Sequence, residues 1–341
     1  MFTPKYSISN LLLSNIKRIN TLIIELNYRR FPQPVLMEFE ETARAISVYA
    51  STSIEGNPLP LTEVKKILKS QPQHIRDSER EVLNYNQTLN ILNQPNLRLS
   101  LPLILDIHKQ VTQGLLPAID CGKIRKRPVV VNDPRNGNPV YLPPDVEDVK
   151  PLMKDLVDFI TDHRDRIDAL ILAGIFHKQM VIIHPFIDGN GRTTRLATKV
   201  LLAEMGLNTF NLFSFENFYN QNITRYFQTV GEVGNYYDLV EQIDFTPWLE
   251  YFTEGLIDEL LRVQKLLPEV ERTPETHLQP YHIKILETIR ERGFITDRDY
   301  AKLVERAKAT RALDFKKLIS LGMIERKGRG RATYYILKEA A

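Results

Sequence analysis

Apolar residues recur at helical spacing along most of the chain. Leu11, Leu12, Ile16, Ile19, Leu22 and Ile23 share one side of residues 9–27, which predicts an amphipathic helix. Phe31-Pro32-Gln33-Pro34 breaks that pattern. A second helix is predicted over 35–51, with Glu38, Glu40 and Glu41 near its start. It stops at Glu55-Gly56-Asn57-Pro58, where Gly can cap the end and Pro cannot continue it. Further helices are predicted over 61–69 (Thr62 as its cap), 75–94 and 101–116. From Gly122 the pattern changes. Val129 to Val131 and Pro139 to Leu142 flank an Asn-Gly turn, which reads as a β-hairpin closed by Pro143-Pro144. Helices return over 146–163 and then over 167–183, which is apolar all round and reads as buried. Another runs over 196–205, and one more begins at Asp244-Phe245-Thr246-Pro247, where Trp248 reads as core. Near the C-terminus come helices over 281–292, 297–305 (Thr296 as cap) and 308–321, then a strand over 333–337. The fold class is mainly α.

Composition narrows the setting. A chain of 341 residues with 43% hydrophobic and 26% charged residues is that of a soluble globular protein. One cysteine, Cys121, excludes an intramolecular disulfide and fits a reducing compartment. The start MFTPKYSISN has no secretory pattern, and the longest apolar run, 169–176, is far short of a membrane span. A cytoplasmic protein without membrane contact is expected. Charge is uneven. Residues 280–341 carry 15 Lys and Arg against 8 Asp and Glu, a net +7, while the remainder carries 30 against 34, a net −4. The C-terminal piece therefore reads as a separate module able to approach a polyanion.

Candidate chemistry concentrates in residues 184–195, HPFIDGNGRTTR, between two helices. Pro185 disfavours helical backbone at His184 and helps end the first helix. The His184 imidazole can take a proton from an incoming hydroxyl, and the Asp188 carboxylate can hold Mg²⁺. Gly189-Asn190-Gly191 can cradle a phosphate at the start of the next helix, and Arg192 and Arg195 can clamp further phosphate oxygens. This inventory describes in-line attack of a protein hydroxyl on a nucleotide phosphorus. A capped turn whose His and Asp merely satisfy backbone groups does not account for two arginines, an acid and Gly-Asn-Gly together. His108 and His177 lie on apolar helices and read as structural.

The run HPFIDGNGRTTR resembles the Fic family signature, HPFx(D/E)GNGRxxR, at every fixed position. Most members of that family move AMP from ATP onto Ser, Thr or Tyr hydroxyls of proteins. The resemblance implies His184 as general base, Asp188 as the Mg²⁺ residue, and Gly189, Asn190, Gly191, Arg192, Thr193, Thr194 and Arg195 around the ATP phosphates. Ser51-Thr52-Ser53-Ile54-Glu55-Gly56 resembles the family's inhibitory motif (S/T)xxxE(G/N), read as Ser51, Glu55 and Gly56. There the glutamate pairs with the second signature arginine, here Arg195, and keeps it from the γ-phosphate. Glu55 could also align a water for the reverse reaction, removal of AMP. The hairpin, with Asn138, Pro139, Val140 and Tyr141, is similar to the family's flap, which aligns a target segment by strand addition. Asn222 to Phe227 resembles the stretch NRxxYY, which implies Tyr226 and Phe227 at the adenine, with Asn235 near the base or ribose. The resemblance spans residues 36–265. Doc-like kinases of the superfamily carry Lys where Gly191 stands, which argues against phosphorylation.

The expected organisation is an N-terminal helical region, 1–100, containing the inhibitory motif 51–56; a catalytic core, 101–265; a linker, 266–280; and a winged helix-turn-helix, 281–341. Lys308, Arg311, Lys316 and Lys317, with Arg326, Lys327, Arg329 and Arg331 in the wing, would suit DNA phosphates. An adaptor role for that module stays open. So do self-modification, a homodimer, and an alternative in which the whole chain is a nucleotide-sensing, DNA-binding transcriptional regulator.

Overall fold

The computed structural model describes residues 2–28, 33–70, 72, 74–93, 97–133, 137–204, 213–266 and 278–338. Phe31 and Pro32 of the expected break, the hairpin tip 134–136, residue 205 of the helix expected to end there, and 267–277 of the expected linker lie outside the described residues. So do the side chains of Glu38 and Arg331. The chain divides into two compact units, Met1–Tyr28 with Phe39–Leu266 and Arg29–Glu38 with Leu267–Ala341.

The larger unit is a helical assembly. Its elements are α1 (Asn10–Tyr28), α2 (Gln33–Ile54, shared at its start with the second unit), α3 (Leu61–Lys69), α4 (Asp77–Leu92) and α5 (Leu101–Thr112). Strands β1 (Val131–Asn132) and β2 (Pro139–Leu142) follow, then α6 (Val146–His163), α7 (Ala169–Ile183), α8 (Asn190–Glu204), α9 (Phe215–Gln221) and α10 (Ile223–Val230). Strand β3 (Gly234–Asn235), α11 (Tyr236–Leu239) and α12 (Thr246–Leu266) complete it. Helix α7 is the central rod. Leu172, Ala173, Ile175, Phe176 and Met180 are fully buried among α6, α8 and α12. Each large aliphatic buried this way contributes about 1.5–3 kcal/mol. Helix α12 approaches α7 so closely that a Cβ on Gly174 would fall 2.5 Å from Leu249 Cδ2. At the same point Trp248 Nε1 donates to Gly174 O at 2.8 Å. Helix α1 lies along α12, where Asn15 Nδ2 donates to Thr253 Oγ1 at 3.0 Å.

Several elements depart from the sequence expectation. Helix α8 begins at Asn190, not 196, because Thr193 N–H reaches back to Gly189 O and closes the first turn within the signature. Helix α3 starts after Pro60 with no side-chain cap, so Thr62 is a first-turn residue. Helix α5 stops at Thr112. The hairpin is joined by a strand the sequence did not announce: β2 pairs antiparallel with β1 and parallel with β3, in the order β1-β2-β3.

The smaller unit holds α13 (Pro280–Arg292), α14 (Asp297–Leu303), α15 (Lys308–Ser320) and the antiparallel strands β4 (Ile324–Lys327) and β5 (Tyr334–Leu337). Thr296 caps α14 as expected: its Oγ1 accepts from Asp299 N–H at 3.2 Å while Asp299 accepts from Thr296 N–H at 3.1 Å. Ile285, Leu286, Ile289, Tyr300, Phe315 and Leu318 form its core. Buried Asp314 takes hydrogen bonds from Tyr300 Oη at 2.8 Å and Arg306 Nε at 2.9 Å. Arg311, expected at a DNA phosphate, instead forks onto Asp297 at 2.8 and 2.9 Å and reaches Arg306 O.

Candidate active site

Helix α7 ends at His184, which adopts a left-handed backbone (φ 49°, ψ 60°), the one positive φ outside glycine among the described residues. Such a conformation costs about 1 kcal/mol or more, so neighbours must hold it. Arg125 does so. Its Nε donates to His184 O at 2.9 Å, its backbone N–H to Pro185 O at 2.9 Å, and its Nη2 to Pro144 O at the base of the hairpin. The imidazole that this elbow presents is partly exposed, and its Nδ1 is buried without a partner. Burial pushes it down to about 4, so it is uncharged at neutral pH and able to accept a proton.

The loop after it is braced from three sides. Asn190 gives both ends of its amide to one residue: Oδ1 accepts from Phe186 N–H and Nδ2 donates to Phe186 O, each at 2.9 Å. The side chain is therefore the loop's own staple, and it leaves the backbone of residues 189–191 for a phosphate. His108, on α5, stacks on Phe186 with ring centroids 3.8 Å apart. Its Nδ1 accepts from Gly122 N–H at 2.9 Å, so the proton of the neutral ring sits on Nε2 and is donated to Asp188 O at 2.9 Å. Gly189 has φ 77°, and a Cβ there would meet Thr112 Cγ2 at 2.8 Å. With Asn190 starting α8, the first N–H groups of that helix open onto the loop.

Both signature arginines lie on α8, buried, and each meets a carboxylate. Arg195 donates from Nε to Ser51 Oγ at 2.8 Å and from Nη2 to Ser51 O at 2.8 Å and Glu55 Oε1 at 2.7 Å. Its Nη1 is buried without a partner. Glu55 is delivered by the end of α2. Asn57 N–H bonds Thr52 O at 3.1 Å, Gly56 N–H bonds Ser53 O at 3.0 Å, and Gly56 has φ 91°, which together make a Schellman cap with Glu55 as its last helical corner. Arg192 meets Glu81 of α4 through Nη1 at 2.7 Å and Asp188 through Nη2 at 3.2 Å. Glu81 was not singled out in the sequence. It is one charge in the string HIRDSERE, and nothing local marks it. Burial pushes its carboxyl up, with Arg192 pulling the other way. Arg125, likewise unnoticed, sits in a basic stretch, Lys123 to Arg127, that reads as a solvated turn.

Other expected ligand residues are placed elsewhere. Thr193 and Thr194 are fully buried on α8. Tyr226 is enclosed, stacked on Tyr219 at 4.6 Å and bonded to His177 Nε2 at 3.2 Å, so its ring has no free face for adenine. His177 completes that packing through Thr198 Oγ1 at 3.1 Å, as a structural histidine should. Phe227 is half-buried beside Tyr226. Asn235 Oδ1 caps α11 by accepting from Tyr237 N–H at 3.0 Å, and its backbone pairs with Leu142. In the hairpin, Asn138 and Pro139 are exposed, while Tyr141 is buried and donates to Ile182 O at 3.1 Å. Because β2 is the inner strand, the edge left for strand addition on the hairpin side is β1. Among the described residues no three His, Cys, Asp or Glu side chains gather as a metal centre, and the Asp188 carboxylate is 55% exposed. No helix of the described residues is long and apolar enough to cross a membrane.

This mainly helical fold is the one seen in solved structures of Fic family proteins. Residues 98–202 match the Fic/DOC family model, and the chain carries a Fic domain there. It is 30% identical over 201 residues to protein adenylyltransferase fic-1 of Caenorhabditis elegans, covering 56% of this chain and 38% of that protein. It is 30% identical over 166 residues to protein adenylyltransferase Fic of Drosophila willistoni, covering 47% and 32%. The chain thus spans well under half the length of these curated relatives. A Fic family protein from Desulfovibrio desulfuricans G20 superposes with TM-score 0.68 at 21% identity, over 100% of this chain and 99% of that one. Residues 134–508 of Fic-1 from C. elegans superpose with TM-score 0.60 at 24% identity, over 76% and 73%. Both likenesses are of fold.

Proposed function

We propose that this chain is a protein adenylyltransferase that transfers AMP from ATP to a Ser, Thr or Tyr hydroxyl and is held inactive by Glu55. The observation that carries the reading is the 2.7 Å pair between Glu55 and Arg195, one turn of α8 beyond a braced phosphate loop and its histidine. In the transfer, the target hydroxyl oxygen bonds to the α-phosphorus and the bond to the bridging oxygen breaks. Pyrophosphate leaves, and the hydroxyl proton passes to the neutral His184 imidazole. The α8 N-terminus and the arginines carry the phosphate charge. Asp188, whose carboxylate is 55% exposed, would hold a Mg²⁺ arriving with the nucleotide, and the ion would supply charge to balance the phosphates. Glu55 opposes this by occupying Arg195, which would otherwise take the γ-phosphate.

The test is transfer of label from α-labelled ATP onto protein by the wild type, Glu55→Gly and Glu55→Gly/His184→Ala. Labelling that rises steeply in the first variant and disappears in the second is expected. Absence of label in all three, with ATP still bound, would remove the transferase reading in favour of a nucleotide sensor.

The smaller unit is proposed as a winged helix. Three helices followed by β4 and β5, with Ile295 bridging Tyr335 as a short third strand, support that reading. Exposed Lys308, Lys316 and Arg329 support contact with a polyanion, tested by the salt dependence of duplex DNA binding.

A further inference from the structure

The adenylyltransferase reading assigns a role to each residue around Arg192 except Glu81. Two carboxylates compete for this one buried guanidinium. Glu81 takes Nη1 at 2.7 Å, and Asp188 takes Nη2 at 3.2 Å. The two acids differ in freedom. Glu81 is 14% exposed, and its other oxygen is pinned by Asn57 Nδ2 at 2.6 Å. Asn57 is itself fixed, donating to Ser78 O at 2.9 Å and accepting from Leu59 N–H at 3.1 Å. Asp188 is 55% exposed at the mouth of the loop, with one oxygen on Gly189 N–H at 2.6 Å. A group that must leave the arginine when nucleotide arrives cannot be the one bolted in place. Glu81 is built to stay, and Asp188 is built to turn away.

We propose that Glu81 is a positioning residue that anchors Arg192 from behind, so that the arginine faces the phosphates and Asp188 is released to the metal arriving with them. Without the Glu81 charge, Asp188 is the one carboxylate left paired with Arg192 among the described residues. The two then close on each other and withdraw a phosphate ligand and a metal ligand together. The effect of losing Glu81 is therefore a raised Mg²⁺ requirement as well as weaker nucleotide binding. General loosening of α4 would not produce that combination. Removing a negative charge near the phosphates by itself favours ATP, so the sign of the change decides between an anchor and a mere competing counter-ion.

The inference rests on the transferase reading for its chemistry but is read through binding. Equilibrium binding of ATP across a Mg²⁺ series is measured for Glu55→Gly, Glu55→Gly/Glu81→Gln and Glu55→Gly/Asn57→Ala, with thermal melts to show that each is folded. Glu81→Gln is expected to weaken ATP about ten-fold, the scale of one charge-assisted hydrogen bond. It should also shift the Mg²⁺ midpoint upward, and Asn57→Ala should do the same to a smaller degree. Unchanged or tighter ATP binding, or weaker binding with an unmoved Mg²⁺ midpoint, overturns the anchor. If Glu81→Gln does not fold, the Asn57→Ala series decides by the same criteria. If Glu55→Gly binds ATP but transfers nothing, the transferase reading fails and the Glu81 result still stands or falls on its own series. If Glu55→Gly binds no ATP, both fail.

Discussion

Glu55 Oε1 occupies the space in which a side chain on residue 191 would begin. A Cβ built on Gly191 falls 2.0 Å from that oxygen and 2.9 Å from Arg195 Nη1. The glycine thus leaves room for a side chain from a distant helix. Gly191→Ala should force Glu55 off the arginine and lower stability by about 1 kcal/mol, the loss of that charge-assisted hydrogen bond. In a Glu55→Gly background the same substitution should cost about 1 kcal/mol less, because the clashing carboxylate is gone. Urea midpoints of the four proteins complete this cycle, and purely additive losses would contradict the contact.

His184 and His108 both lie near 4, pushed down from 6.5 by burial. In the proposed transfer the competent base is neutral His184, so labelling by Glu55→Gly should stay level from pH 8 to about 5. An unperturbed histidine would lose most of its activity over that range. Stability moves separately. Both folded values lie below the unfolded one, so the unfolded chain binds more protons between about 4 and 6.5. Stability present above 6.5 is then lost as pH falls through that window. Rate profiles and chemical denaturation at pH 7.5 and 5 test the two statements independently.

Arg125→Lys keeps a charge but loses the fork that ties His184 O to Pro144 O. The expected result is a fall in kcat of about 10–100-fold, the scale of a misplaced catalytic group, with ATP affinity little changed. An equal loss in binding would place the effect in the loop as a whole.

Thr193 and Thr194 carry buried hydroxyls with no partner. Replacing either by Val should leave ATP affinity unchanged and hold or raise stability by about 1 kcal/mol, since an unsatisfied polar group is exchanged for a methyl. Weakened ATP binding would restore these residues to the phosphate site.

What could be read in the sequence follows from where each interaction is encoded. The elbow at His184, the helix on either side and the cap at Gly56 are local events, written in adjacent Pro, Gly and apolar residues. The Glu55–Arg195 pair is not local, and only its resemblance to a motif made it visible. Glu81 and Arg125 act through partners far along the chain and sit among other charges, so no pattern separates them from a solvated surface. Tyr226 and the Asn190 side chain illustrate the converse. Their types suit a ligand, but enclosure by Tyr219 and His177 in one case, and the reciprocal amide bonds to Phe186 in the other, assign them to the protein itself. Residue type names a capacity, and packing decides which partner uses it.

The Schellman cap that ends α2 sets the energy scale of control. Helix termini are the first parts of a helix to fray, and Glu55 sits at the terminal corner of α2. Fraying of that last turn would carry Glu55 away from Arg195, a local fluctuation far smaller than a domain movement. In the proposed autoinhibition, the stability of that turn would then contribute to the strength of the brake. If the proposed transfer holds, a change at Gly56, which touches neither nucleotide nor His184, would retune the resting activity.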